Sequence, residues 1–139
     1  MLIGKYYHTI ESAGRVSLPK PFRSFSKQWV VTRGFDGCLF LLPEDHFTEE
    51  LEKINQRSFT QKDTRDLVRL LANEAQTVTP DKLGRVQLPE YLIKYAHLDK
   101  HVVLVGSVTR VELWERETYH AYIHQLEPHA EELAEKYAE

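Results

Sequence analysis

Two arginines stand in matching surroundings 70 positions apart. Arg15 lies in Glu11-Ser12-Ala13-Gly14-Arg15-Val16-Ser17-Leu18-Pro19, and Arg85 in Asp81-Lys82-Leu83-Gly84-Arg85-Val86-Gln87-Leu88-Pro89. Both stretches follow the pattern acid-x-x-Gly-Arg-Val-x-Leu-Pro. An acid four positions before an arginine, across a glycine turn, supports two kinds of chemistry. The carboxylate of Glu11 or Asp81 can accept hydrogen bonds from turn amides or from the guanidinium, which makes the motif a turn staple. Alternatively, the guanidinium offers its planar fork to a phosphate or to the edge of a guanine. Lys5, Lys20 and Arg23 flank the first turn and Lys82 sits inside the second, so each motif has further cations beside it.

Other chemistries find little support. His120 and His124 have the i, i+4 spacing of a helical metal grip, but no third ligand accompanies them and Ala121-Tyr122-Ile123 supplies no catalytic glutamate. Asp63, Asp66 and Glu74 suggest no catalytic dyad, and Ser17 lacks a nucleophile-elbow context. There is no phosphate-cradling glycine-rich loop. Cys38 is the single cysteine, which excludes a disulfide framework and a cysteine metal cluster. The expectation is a protein that is not an enzyme and needs no cofactor, no metal and no small-molecule substrate.

The formal net charge of -3 opposes binding to a polyanion, but its distribution does not. Residues 1–40 carry six basic against two acidic groups, whereas residues 127–139 carry five glutamates against Lys136. Charges farther apart than a Debye length of about 8–10 Å are largely screened, so a basic face can act independently of an acidic tail. No apolar run approaches the roughly 18 residues needed to span a bilayer, and the start lacks a signal-peptide pattern. A cytoplasmic location is the expectation.

The similarity of the two motifs extends along the chain. Trp29-Val30-Val31-Thr32-Arg33-Gly34 matches His101-Val102-Val103-Leu104-Val105-Gly106, and Cys38-Leu39-Phe40-Leu41-Leu42-Pro43 matches Arg110-Val111-Glu112-Leu113-Trp114-Glu115. Each copy predicts strand, tight turn, strand, short helical piece, strand, turn, strand and helix. Gly14 and Gly84 supply the positive φ that a tight turn needs. In the strand after each turn, Val16 and Leu18 share one face while Arg15 and Ser17 share the other. Helices are expected from Pro43-Glu44-Asp45, with Phe47, Leu51 and Ile54 as a buried stripe, and from Thr60, where Thr60-x-x-Asp63 has the form of a capping box. The latter runs through Leu67, Leu70 and Leu71. Tyr119, Tyr122, Ile123 and Leu126 mark another helix, and beyond Pro128 the chain continues as a short acidic helix or tail. Tyr6 and Tyr7 are expected to pack the β unit. A unit of about 45 residues is marginal for a core of its own, so the two copies are expected to pair as a covalent pseudo-dimer.

With these features in register, the chain resembles the MraZ family within the SpoVT-AbrB, or swapped-hairpin, superfamily. The Ile3-Gly4-x-Tyr6 start and the Val103-Leu104-Val105-Gly106 and Glu112-Leu113-Trp114-Glu115 stretches are similar to that family too. The fold class implied is α+β: two tandem SpoVT-AbrB-like β-hairpin units forming a pseudo-two-fold, β-barrel-like core with packed helices. The units are expected at 5–47 and 76–119, joined by a helical connection at 48–75 and followed by a C-terminal helix and acidic tail at 120–139. The resemblance implies a repressor-type transcriptional regulator that binds double-stranded DNA repeats upstream of a division and cell-wall gene cluster including its own gene. It also implies nucleoid association and a ring-shaped homo-oligomer. The family's D-x-x-x-R motif falls on Glu11 and Arg15, and on Asp81 and Arg85. Glu11 replaces the usual Asp, and Ala13 stands where a Lys is often found. The expected DNA-binding residues are Lys5, Arg15, Lys20, Arg23, Lys82 and Arg85, with Glu11 and Asp81 as turn-motif acids. An antitoxin-like or scaffold module without strong DNA binding is the alternative; the acidic tail and the altered first motif favour it.

Overall fold

A computed structural model describes all residues, 1–139. The first copy supplies β1 (Lys5–Thr9), β2 (Arg15–Ser17), the short helix α1 (Lys20–Arg23), β3 (Trp29–Arg33) and β4 (Leu39–Pro43). Helices α2 (Glu44–Gln56) and α3 (Lys62–Asn73) follow. The second copy repeats the series as β5 (Gln76–Val78), β6 (Arg85–Gln87), α4 (Glu90–Tyr95), β7 (His101–Gly106) and β8 (Val111–Glu115), then α5 (Arg116–Leu126) and α6 (Ala130–Ala138). The expected α+β class and the tandem organisation hold.

The copies are joined by exchange of strands. The first strand of each copy pairs antiparallel with the third strand of the other, β1 with β7 and β5 with β3. The six-stranded sheet therefore runs β1-β7-β8-β4-β3-β5. A pseudo-two-fold passes through its middle, where Leu39 faces Leu113, Phe40 faces Glu112 and Leu41 faces Val111. The remaining strands, β2 and β6, form a second sheet with Arg15 opposite Gln87, Val16 opposite Val86 and Ser17 opposite Arg85. Under the 70-residue repeat, each of these pairs maps onto itself or its mate, so the same axis runs between Val16 and Val86. The strands do not close into a barrel, because β1 and β5 remain at opposite edges of the larger sheet.

One core results. Val16, Leu18 and Leu39 from the first copy join Val86, Leu104 and Leu113 from the second in a single buried cluster. Trp29 and Trp114 are both buried, and their indole N–H groups donate to the Ser26 carbonyl and to Glu112 Oε1. Tyr6 packs edge-on against Phe22, as expected of a packing residue, but Tyr7 is exposed and meets His120.

The helical segments depart from expectation in two places. Helix α3 begins at Lys62 with Gln61 as its N-cap, so Thr60 does not cap it. The Thr60 hydroxyl instead meets that of Ser58 within the connecting turn. On α2 the stripe Phe47, Leu51 and Ile54 is only half-buried. With Phe35, Phe40 and Leu71 it surrounds an apolar cavity of about 190 Å³ rather than filling it. No helix is long and apolar enough to cross a membrane.

Strand exchange makes independent unfolding of the copies impossible. Single-tryptophan variants Trp29→Phe and Trp114→Phe each leave a reporter in one copy, and their fluorescence transitions in denaturant are expected to coincide. Two separated midpoints would mean two separable domains. Truncating a seam residue, Leu39→Ala, is expected to cost about 2–5 kcal/mol and to shift both transitions together.

Candidate nucleic-acid interface

The two glycine-arginine turns emerge side by side because β2 and β6 are paired. Each strand is also laced to the turn of its partner: the Leu18 amide donates to the Gly84 carbonyl, and the Leu88 amide to the Gly14 carbonyl. Gly14 and Gly84 adopt φ of +73° and +80°, the left-handed values the turns require. Val16 and Leu18 point into the core while Arg15 and Ser17 stay on the open side.

From this shared frame the turns diverge. Asp81 Oδ1 accepts from the Leu83 and Arg85 amides, and Oδ2 accepts from Arg85 Nε at 3.0 Å. The bond to the amide two residues on is an Asx turn, which aspartate has the right length to make. These bonds, the Arg85 amide first among them, hold the Asp81 carboxyl below its ordinary value. Glu11 is one methylene longer and caps nothing in its own turn. Its Oε2 accepts from Arg85 Nη1 at 3.1 Å, across the two copies. Without a side-chain pin, the first turn takes a different shape: Ala13 adopts φ of +63°, whereas Leu83 does not enter the left-handed region.

Consequently the two arginines differ in availability. Arg85 is gripped by Glu11 and Asp81, which together raise its pKa further. Arg15 is half-buried at its base, and its guanidinium has no hydrogen-bond or ion-pair partner in the chain. Arg15 and Arg85 face each other over a polar cleft of about 300 Å³ that also includes Thr79, Asp81 and Gln87. The pairing of Arg85 with Glu11 was invisible in the sequence, since 74 residues separate them and each has a closer partner of the right charge.

The flanking cations fall into two groups. Arg23 belongs to the first copy but lies on the second turn. Its Nε donates to the Leu18 carbonyl at 2.6 Å, and its guanidinium covers Gly84 so closely that a Cβ there would collide with it. Lys82 and Arg23 border one cleft beside that turn. Lys20 is exposed on α1, and Lys5, on the sheet edge, reaches over the Tyr7 ring. Arg15, Arg23, Lys82 and Arg85 thus line the two clefts beside the paired turns, and Lys5 and Lys20 line neither. Burial, with Arg23 nearby, lowers the pKa of His8, which favours its neutral form.

The remaining titratable groups do not form a reactive centre. His120 bonds to the Tyr7 hydroxyl, and no group of three metal-ligating side chains assembles around it or elsewhere. Cys38 is buried, and that burial raises its thiol pKa, which disfavours the thiolate. Arg69 and Lys62 pair with Asp66 on the exposed face of α3, and Arg65 donates to the Phe59 carbonyl.

Comparison with known proteins follows the same division of the chain. A family model described as "MraZ protein, putative antitoxin-like" matches residues 1–70 and again 71–139. A protein of Carboxydothermus hydrogenoformans named Transcriptional regulator MraZ is 43% identical over 137 residues, covering 98% of this chain and 96% of its own. Its namesake in Desulforamulus reducens is 40% identical over 136 residues, with 97% and 96% covered. That of Clostridium tetani is 35% identical over 140 residues, with 100% and 98% covered.

The depressed Asp81 carboxyl has a consequence for acid stability. Between its folded value and the ordinary 3.8, the unfolded chain binds more protons than the folded one, so stability falls as pH drops through that range. Asp81→Asn is expected to lower the melting temperature at neutral pH and to flatten this acid limb; an unchanged limb would show that the staple contributes nothing. Gly84→Ala is expected to cost about 1–2 kcal/mol from the left-handed backbone alone, and more as Arg23 is displaced.

Proposed function

The chain belongs to the MraZ family, and from that premise we propose that it is a sequence-specific, DNA-binding transcriptional regulator. In this reading it represses the division and cell-wall gene cluster that includes its own gene, acting in the cytoplasm at the nucleoid. It is not an enzyme, in keeping with relatives named as regulators.

The observation that carries the reading is the unpartnered Arg15 guanidinium beside the stapled Arg85, on a paired-turn surface that a rigid core presents. A free, pre-positioned fork suits a bidentate contact to guanine or to a phosphate. Arg85, held by two carboxylates, fixes the spacing of the turns and contributes less charge. Arg23 and Lys82 add phosphate contacts beside the second turn, with Lys5 and Lys20 as further cations. The first unit, 5–47, thus supplies the free arginine, and the second, 76–119, the stapled one; 48–75 and 120–139 frame them.

So few cations bind one stretch of DNA weakly at physiological salt. A ring of identical chains, each facing one of several short upstream repeats, raises affinity through effective concentration without new contacts. We therefore include a cyclic homo-oligomer in the proposal. The antitoxin-like or scaffold alternative is favoured by one feature: α6 is exposed throughout, presenting Leu133 and Tyr137 among glutamates with nothing packed on them.

Titration of labelled upstream duplex against a scrambled duplex, at two salt concentrations, separates these readings. A regulator prefers its own repeats and weakens as salt rises; equal and negligible affinity for both duplexes would leave the protein-interaction module standing. Arg15→Ala is expected to reduce specific affinity about 10–100-fold, the value of one good bidentate contact, with the oligomer and its melting behaviour intact. Should that variant unfold or dissociate, Arg15 is structural.

A further inference from the structure

Beside the second turn, sharing Thr79 and Asp81 with the two-arginine cleft, lies a second cleft of about 400 Å³. Its lining is rich in polar and charged side chains: Arg23, Ser26 and Lys27 come from the first copy, and Thr79, Asp81 and Lys82, with Pro80 and Gly84, from the second. Three cations face a single carboxylate, and Asp81 is already engaged by two amides and by Arg85. Arg23 is fixed in place, with Nε on the Leu18 carbonyl and its plane against Gly84, so its remaining guanidinium N–H groups carry no ordering cost. The Thr79 hydroxyl donates to Gln28 and that of Ser26 to the Gln28 carbonyl, which anchors the loop bearing Lys27.

The pseudo-two-fold supplies an internal control. Seventy residues from Arg23 stands Ile93, which lies against Gly14 as Arg23 lies against Gly84. Lys82 is replaced by Ser12, and Ser26 by Ala96. The same repeat sets His97 against Lys27 and Glu11 against Asp81, so none of the residues that answer to this cleft's lining is a lysine or an arginine. The three-cation set therefore belongs to the second turn alone.

We propose that this cleft is a phosphate site, formed jointly by the two copies, in which Lys27, Arg23 and Lys82 hold one segment of DNA backbone next to the bases that Arg15 approaches. The inference rests on the DNA-binding reading above and adds to it a positioning contact, Lys27, and a fixed polarity of the chain on the duplex. Donors alone would also suit a guanine edge, but three cations brought together from both copies match the concentrated negative charge of a phosphate.

The test is the salt dependence of binding for the full chain, followed by anisotropy on upstream and scrambled duplexes for wild type, Lys27→Gln, and Lys27→Gln with Lys82→Gln. Each lost phosphate contact is expected to reduce the slope of log affinity against log salt by about 0.9, with the ratio between the two duplexes and the melting temperature unchanged. An unchanged slope overturns the cleft while leaving the regulator reading intact. A collapse of the duplex ratio overturns it as well, because Lys27 would then read bases. Inorganic phosphate is titrated alone in a parallel arm: saturation below millimolar concentration at the Gly84 amide resonance would make this a free-anion site instead. A wild-type chain that binds neither duplex removes the DNA reading and the cleft with it.

Discussion

Between Val16 and Val86 two strands of only three residues cross, and much of the molecule is arranged by that crossing. Strands so short have no stability of their own. They persist because both valines are fully buried and because the following residue of each, Leu18 or Leu88, donates its amide to the other copy's turn glycine. Once β2 and β6 are paired, each copy's first strand is directed across the axis to the third strand of the other. The larger sheet, the single core and the adjacency of the two turns all follow. A monomer thereby acquires the geometry of a dimer without the cost of association.

Approximate symmetry also gives a small difference a large effect. Asp81 and Glu11 differ by one methylene. Aspartate closes on its own turn, and glutamate reaches past its turn to the other copy's arginine. One arginine is thereby stapled twice and the other is left open. The surroundings of the turns diverge by equally modest means, Arg23 against Ile93 and Lys82 against Ser12. A covalent pseudo-dimer can specialise its halves in this way, whereas a true homodimer must change both together.

Much of this was legible in the sequence. The repeated acid-x-x-Gly-Arg-Val-x-Leu-Pro motif gave away the tandem units, the glycine turns and the inward face of Val16 and Leu18, because turn glycines and period-two alternation are local signals. Alternation names the buried face of a strand but not its neighbour, so the exchange of β1 and β5 was not readable. Nor was the Glu11–Arg85 bond, since Arg15 is the nearer cation in sequence. Thr60 illustrates the opposite error: a motif of the right form stood two residues before a helix that begins on its own terms at Lys62. The half-buried side of α2 escaped for a related reason, because helical periodicity fixes which side chains align and not how closely another layer covers them.

Amide hydrogen exchange tests the shared core most directly. The Leu18 and Leu88 amides, which lace the strands to opposite turns, and the amides of β1 and β7 belong to different copies but to one cooperative unit. The account predicts that their most protected members exchange only through global unfolding, with equal free energies of opening in both copies. Protection that is markedly lower throughout one copy, with the other intact, would contradict it: the two copies would then be neighbours rather than halves of one fold.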